Sequence, residues 1–146
     1  MLRGNHPARI DDKGRLKIPS AFLGVLTESA RDFFVTSISG EFVRIYPLAA
    51  WKEIETRLAA MPQAHPARQR FLERVNFFGQ VSQVDGQGRI LIPQILRKMA
   101  SMEGDVAVLG QQNHLAVWNS KRLEDKLFKT DPFTDADAQQ LAEFGI

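Results

Sequence analysis

The chain has 146 residues, no cysteine and a formal net charge of +2. That length suits one domain or two small fused ones, and the missing cysteines exclude disulfides and thiolate metal sites. No apolar run approaches the ~20 residues of a membrane span, and residues 1–5 lack the apolar core of a signal peptide, so a cytoplasmic chain without a membrane partner is expected.

The first recognisable element is Arg9–Pro19, RIDDKGRLKIP, and the chain writes it twice. Gln83–Pro93, QVDGQGRILIP, repeats it 74 positions later, with Asp11/Asp85, Gly14/Gly88, Arg15/Arg89, Ile18/Ile92 and Pro19/Pro93 identical. A repeat of this kind implies two copies of one small unit. In each copy a β-branched residue leads into an Asp, three turn residues and an Arg, and an alternating run then ends at Pro. This pattern predicts strand, tight turn, strand. An Asp before a turn can accept backbone N–H bonds from residues ahead of it, and Gly supplies the positive φ that closes the turn. Asp11, Gly14, Asp85 and Gly88 are therefore the candidate turn-shaping residues. Alternation puts Leu16 and Ile18 on one face, with Arg15 and Lys17 on the other. Read alone, each Asp–Arg pair is equally a weak surface ion pair.

Charge is concentrated here. Residues 1–20 hold five bases (Arg3, Arg9, Lys13, Arg15, Lys17) against two acids, while the remainder carries 14 bases against 15 acids. The basic character belongs to the first hairpin, a distribution common in small nucleic-acid-binding proteins. In the second copy Arg9, Lys13 and Lys17 become Gln83, Gln87 and Leu91. The first turn is thus expected to be the more cationic, with Arg89 the one cation of the second and Leu91 facing another protein.

Beyond the first hairpin, Ser20–Leu26 reads as a short helix capped by Ser20. Strands are expected at Phe33–Thr36 and Phe42–Tyr46, then a helix from about Leu48 to Met61 with Trp51, Ile54, Leu58 and Met61 on its apolar stripe. Pro62–Pro66 is a breaker, and a second helix follows over about Ala67–Phe78. Its Arg68, Arg70 and Arg74 are read as a solvated face. Copy two repeats the plan: hairpin Gln80–Ile92, helix Gln94–Ala100, strands Asp105–Leu109 and His114–Trp118, and a helix from Asn119-Ser120. Residues 131–146 contain four acids and no Lys or Arg, and read either as a last amphipathic turn around Leu141 and Phe144 or as a frayed tail. The expected segments are residues 5–50 and 79–122 as the two repeats, 51–78 as a helical connector and 123–146 as a terminal helix and acidic tail.

His6, His65 and His114 are too scattered for a metal signature, and neither a P-loop nor a nucleophile elbow is present. No catalytic residue, metal or cofactor is expected. The Asp85-Gly86-Gln87-Gly88 stretch lacks the Lys-Ser/Thr of a phosphate-cradling loop. The doubled Asp11-Asp12 leaves a barrel enzyme using Asp11, Asp12 and Asp85 as a minor alternative.

These motifs resemble the MraZ family, within the wider AbrB/SpoVT/MazE group of swapped-hairpin barrels. The likeness is carried by MLRGNHPARIDDKGRLKIP at the N-terminus, the two DxxxR turns, VRIYPLAAW at Val43–Trp51 and VAVLGQQNHLAVWN at Val106–Asn119. Phe22-Leu23-Gly24 departs from the family's usual basic residue after the Phe, and Ala100-Ser101-Met102 from its usual Ala-Gly-Leu. The resemblance implies an α+β fold, mainly β with flanking helices, in which one chain supplies both halves of a pseudo-symmetric barrel. It implies a transcriptional regulator that binds double-stranded DNA at tandem promoter repeats of the division and cell-wall gene cluster. It also implies a ring-like homo-oligomer associated with the nucleoid. Arg15 and Arg89 are then the main DNA contacts, Arg3, Arg9, Lys13 and Lys17 phosphate contacts, and Gln87 an auxiliary base contact. An antitoxin-like adaptor that holds a partner protein through the tail after Thr130 is the second alternative.

Overall fold

The computed structural model describes every residue except Ala30, and all of Ser29 but its side chain. Among the described residues eight strands form one sheet: β1 (Leu2–Ile10), β2 (Arg15–Lys17), β3 (Asp32–Thr36), β4 (Val43–Pro47), β5 (Gln80–Gln83), β6 (Arg89–Leu91), β7 (Gly104–Gln112) and β8 (Leu115–Asn119). Their order is β5-β3-β4-β8-β7-β1-β2-β6, with each ladder antiparallel. The sheet curls so that its end strands, β5 and β6, meet at the Asp85 turn, giving a nearly closed barrel. The α-helices that flank it among the described residues are α1 (Ser20–Ser29), α2 (Leu48–Ala59), α3 (Pro66–Phe78), α4 (Gln94–Met99), α5 (Ser120–Asp125) and α6 (Asp135–Ala142).

The second strands of the two hairpins pair with each other, and β2 also keeps its Ile10–Leu16 pairing with β1. In β2–β6, Leu16 lies opposite Ile90, Arg15 opposite Leu91 and Lys17 opposite Arg89. The Ile18 N–H donates to the Gly88 carbonyl and the Ile92 N–H to the Gly14 carbonyl, both at 2.9 Å. Exchanging the copies maps each bond onto the other, so a pseudo-twofold axis passes between Leu16 and Ile90. Their alternation drives this arrangement: Leu16, Ile18, Ile90 and Ile92 are all at most 1 % exposed in the barrel interior. Neither short hairpin could bury these residues alone, and burial of each such side chain stabilises the fold by about 1.5–3 kcal/mol.

Several strands read as continuous apolar runs because both of their faces are covered. Phe33 and Val35 point into the barrel, while Phe34 packs outward with Tyr46, Trp51 and Val75 beneath α2 and α3. The Thr36 hydroxyl donates to the Val75 carbonyl at 2.7 Å and ties β3 to α3. In the second half Trp118 stacks on Phe42, with ring centroids 4.5 Å apart, and α5 adds Leu123.

Several boundaries differ from expectation. The first strand begins at Leu2, not near Arg9, because all nine of its residues pair with β7, which runs on to Gln112. Helix α1 continues to Ser29, since Leu26 is buried and draws another turn onto the core. Helix α2 ends at Ala59, short of Met61. The helix that starts at Ser120 passes into a π-helical turn at Lys126–Thr130. In the acidic tail, Thr134 and Asp137 form a capping box for α6, which buries none of its residues. No helix among the described residues is long and apolar enough to cross a membrane.

Candidate nucleic-acid interface

The site is the outer face of the β2–β6 ribbon together with the turn at each end. With Leu16 and Ile90 inside, the intervening side chains Arg15, Lys17, Arg89 and Leu91 face outward. From the Gly14–Ile92 rung to the Ile18–Gly88 rung are four steps, which sets the two turns about 14 Å apart along the strands.

Each turn is built by its aspartate. Asp11 Oδ1 accepts from the Lys13 and Arg15 backbone N–H groups at 3.0 and 2.8 Å, and Oδ2 accepts from Arg15 Nε at 2.8 Å. Asp85 does the same for Gln87, Arg89 and Arg89 Nε, each at 2.9 Å. These bonds hold both carboxyls below the usual Asp range, the Arg15 and Arg89 backbone N–H groups being the largest cause respectively. Gly14 and Gly88 close the turns at φ +83° and +74°, where a Cβ is disfavoured. Nε is the atom engaged, and among the described residues neither arginine's Nη groups donate a hydrogen bond. The Arg15 and Arg89 side chains are 30 % and 25 % exposed, so each is gripped at its base and presented at its tip.

Proximity does not follow copy number. The Lys17 Nζ donates to the Gln87 carbonyl and so belongs to the Asp85 turn, while Leu91 stands opposite Arg15. The expectation that the second turn has Arg89 as its one cation is therefore corrected: antiparallel pairing carries the end of each hairpin's second strand to the other hairpin's turn. The same exchange reveals a residue that the motif analysis passed over. Arg97 of α4 donates through Nε to the Ile92 carbonyl at 3.0 Å, and its guanidinium fills the space that a Cβ on Gly14 would need. Its equivalent at the other end is Leu23 of α1, whose Cδ2 stands 3.0 Å from the position of a Gly88 Cβ. The signal was present in the 74-residue offset, which aligns Arg97 with Leu23.

Other candidates lie apart or at the rim. Lys13 and Gln87 occupy exposed positions at the turn tips. Arg9 is exposed next to the first turn, 3.6 Å from Asp105. Arg3 sits seven residues from Ile10 along β1, roughly 24 Å from that turn. On α3, Arg68 donates to the Leu58 carbonyl and Arg74 to the Ile38 carbonyl, so both serve local structure. The Asp11 and Asp85 carboxylates are committed to their turns, and Asp12 is exposed. Among the described residues no three His, Asp or Glu side chains converge as a metal site would require.

A family model described as "MraZ protein, putative antitoxin-like" matches residues 1–74 and 79–144. The chain belongs to the MraZ family. Two relatives named Transcriptional regulator MraZ, from Acidobacterium capsulatum and Koribacter versatilis, are 46 % and 44 % identical to it, with the full length of both chains covered in each case. A third of that name, from Moorella thermoacetica, is 33 % identical over the full length of both chains. Within this MraZ-family chain the β2–β6 ribbon carries both Asp-braced arginines on its outward face.

Proposed function

We propose that the chain is a sequence-specific, double-stranded-DNA-binding transcriptional regulator that inserts the β2–β6 ribbon into the major groove. The observation that carries this reading is the pair of arginines on one outward face, each braced through Nε with its Nη edge free. Two-stranded ribbons fit the major groove, and an arginine presenting two parallel N–H groups matches guanine O6 and N7. Arg15 and Arg89 lie two rungs apart, about 7 Å along the ribbon. That separation matches two base-pair steps of about 3.4 Å. Bracing by Asp11 and Asp85 removes rotamer freedom before binding, which lowers the entropy lost on contact. Lys13, Lys17 and Arg9 then reach phosphates, Gln87 an adjacent base edge and Arg3 a more distant phosphate.

One ribbon offers few contacts, so the reading includes a ring-like homo-oligomer on tandem promoter repeats, acting in the nucleoid on the division and cell-wall gene cluster. The test is a gel shift on a duplex selected from a random pool by the wild-type chain. Arg15→Ala and Arg89→Ala should each weaken binding to the selected duplex by about 1–3 kcal/mol and leave scrambled DNA nearly unaffected. Equal losses on both duplexes would reject base reading. An antitoxin-like adaptor remains the second reading because the tail exposes Phe133, Phe144 and Ile146. Truncation after Thr130 that leaves DNA affinity and oligomer mass unchanged would count against it.

A further inference from the structure

We propose that Arg97 contacts a DNA phosphate at the Asp11 end of the ribbon only, so that the chain docks on an asymmetric operator in one orientation. This rests on the DNA-binding reading above.

The pseudo-twofold between Leu16 and Ile90 creates the question. A ribbon with equivalent ends would bind a duplex equally well in either direction. Most of the ribbon obeys the symmetry, including the Asp–Arg braces, the glycines and the paired carbonyl bonds. It is broken on the ribbon, where Lys13 and Lys17 correspond to Gln87 and Leu91, and where a helix from the opposite copy lies over each turn. At the Asp11 end that helix supplies Arg97, and at the Asp85 end it supplies Leu23.

Arg97 is held where a fixed cation is useful. Its Nε is bonded to Ile92, its stem is partly buried, and no carboxylate pairs with it among the described residues. Gly14 lets the guanidinium lie directly against the turn backbone. Arginine in this setting is a pre-aimed phosphate ligand, because little rotamer entropy remains to be lost. Leu23 offers the other end an apolar surface, and the cation beside Gly88 is Lys17, whose Nζ stands 3.6 Å from the position of a Gly88 Cβ. Total charge does not make the difference: Lys13, Arg15 and Arg97 stand against Asp11 and Asp12 at one end, and Lys17 and Arg89 against Asp85 at the other. Polarity rests on where the cation sits, on α4 over the Asp11 turn and on the ribbon itself at the Asp85 turn.

The chain has no cysteine, so a single Met99→Cys variant can carry an iron chelate that cuts nearby DNA. Met99 is 46 % exposed on α4, two residues beyond Arg97. On a single-site duplex selected from a random pool, cuts should fall on one side of the site. In the Arg97→Leu background the one-sidedness should fall, with a salt slope lower by about one unit, as expected for one lost phosphate contact. Arg97→Lys should restore part of the one-sidedness. Leu23→Arg, which supplies a helix-borne guanidinium over Gly88 without disturbing α4, should also raise cutting on the second side, so the proposal stays testable if Arg97→Leu folds poorly. Two-sided cutting by the otherwise wild-type chain, or one-sidedness undiminished in Leu23→Arg, would overturn the proposal. Failure of the DNA reading itself looks different: no selected duplex would be retained in the gel shift at all.

Discussion

The turn glycines offer a quantitative check on the exchanged helices. Gly14→Ala and Gly88→Ala place a methyl at φ +83° and +74°, a backbone region that disfavours an L side chain by roughly 1–2 kcal/mol. There the two sites diverge. At position 88 the methyl meets Leu23 Cδ2 at 3.0 Å, the far end of a flexible side chain that can turn aside. At position 14 it takes the volume of Arg97 Cδ, Nε and Cζ, so the side chain must leave and its bond to the Ile92 carbonyl breaks. Losing that bond adds about 1 kcal/mol. Gly14→Ala should therefore destabilise by about 2–3 kcal/mol and Gly88→Ala by about 1–2 kcal/mol. Urea unfolding followed by far-ultraviolet circular dichroism, at one fixed protomer concentration, measures both. A double-mutant cycle then isolates the contact: in an Arg97→Ala background the Gly14→Ala effect should fall to about 1–2 kcal/mol. An unchanged effect in that background would refute the placement of Arg97 over the turn.

Other consequences are equally direct. Lys13→Ala combined with Lys17→Ala should flatten the salt dependence of binding by about two units on operator and scrambled DNA alike, as read from gel shifts across a salt series. The Asp11 and Asp85 carboxyls are lowered in the fold, so their contribution to stability is complete above the ordinary value of 3.8 and is lost as pH falls through the lowered folded values. Asp11→Asn with Asp85→Asn should remove that acid limb from the pH profile of urea midpoints. His114, stacked on Tyr46 and beside Arg44, is pushed down to about 4, by burial first and by the Arg44 charge second. Below pH 6.5 the unfolded chain takes up a proton that the folded chain refuses, so stability should fall between 6.5 and about 4, and His114→Gln should flatten that interval. Placing a second correctly spaced operator on one duplex should raise affinity far more than twofold in a gel shift, through millimolar effective concentrations.

The sequence alone made the two-copy plan legible, because the repeated hairpin is dictated by local chemistry. An Asp that caps its own turn, a Gly at positive φ and a strand ended by Pro need no distant partner to be recognised. Alternation likewise assigned Leu16 and Ile18 inward and Arg15 and Lys17 outward, since strand periodicity is a property of the backbone. The family resemblance drew on the same local patterns. What local pattern could not carry was which hairpin each side chain serves. Reading copy by copy put Lys17 with Asp11 and Leu91 with Arg89, whereas the paired ribbon moves Lys17 to the Asp85 turn and Leu91 opposite Arg15. The place of Arg97 was not decided by local pattern for the same reason: the repeat offset aligns it with Leu23, but on its own helix it is one more basic residue in a last turn, and it gains meaning only beside Gly14, 83 positions earlier in the chain. The length of β1 also depended on its partner, because residues 2–8 become a strand by pairing with β7. Turn geometry is a near-neighbour energy and is written locally. The exchange of hairpins is driven by burying Leu16, Ile18, Ile90 and Ile92 in one shared interior, and that energy exists only once both copies have come together.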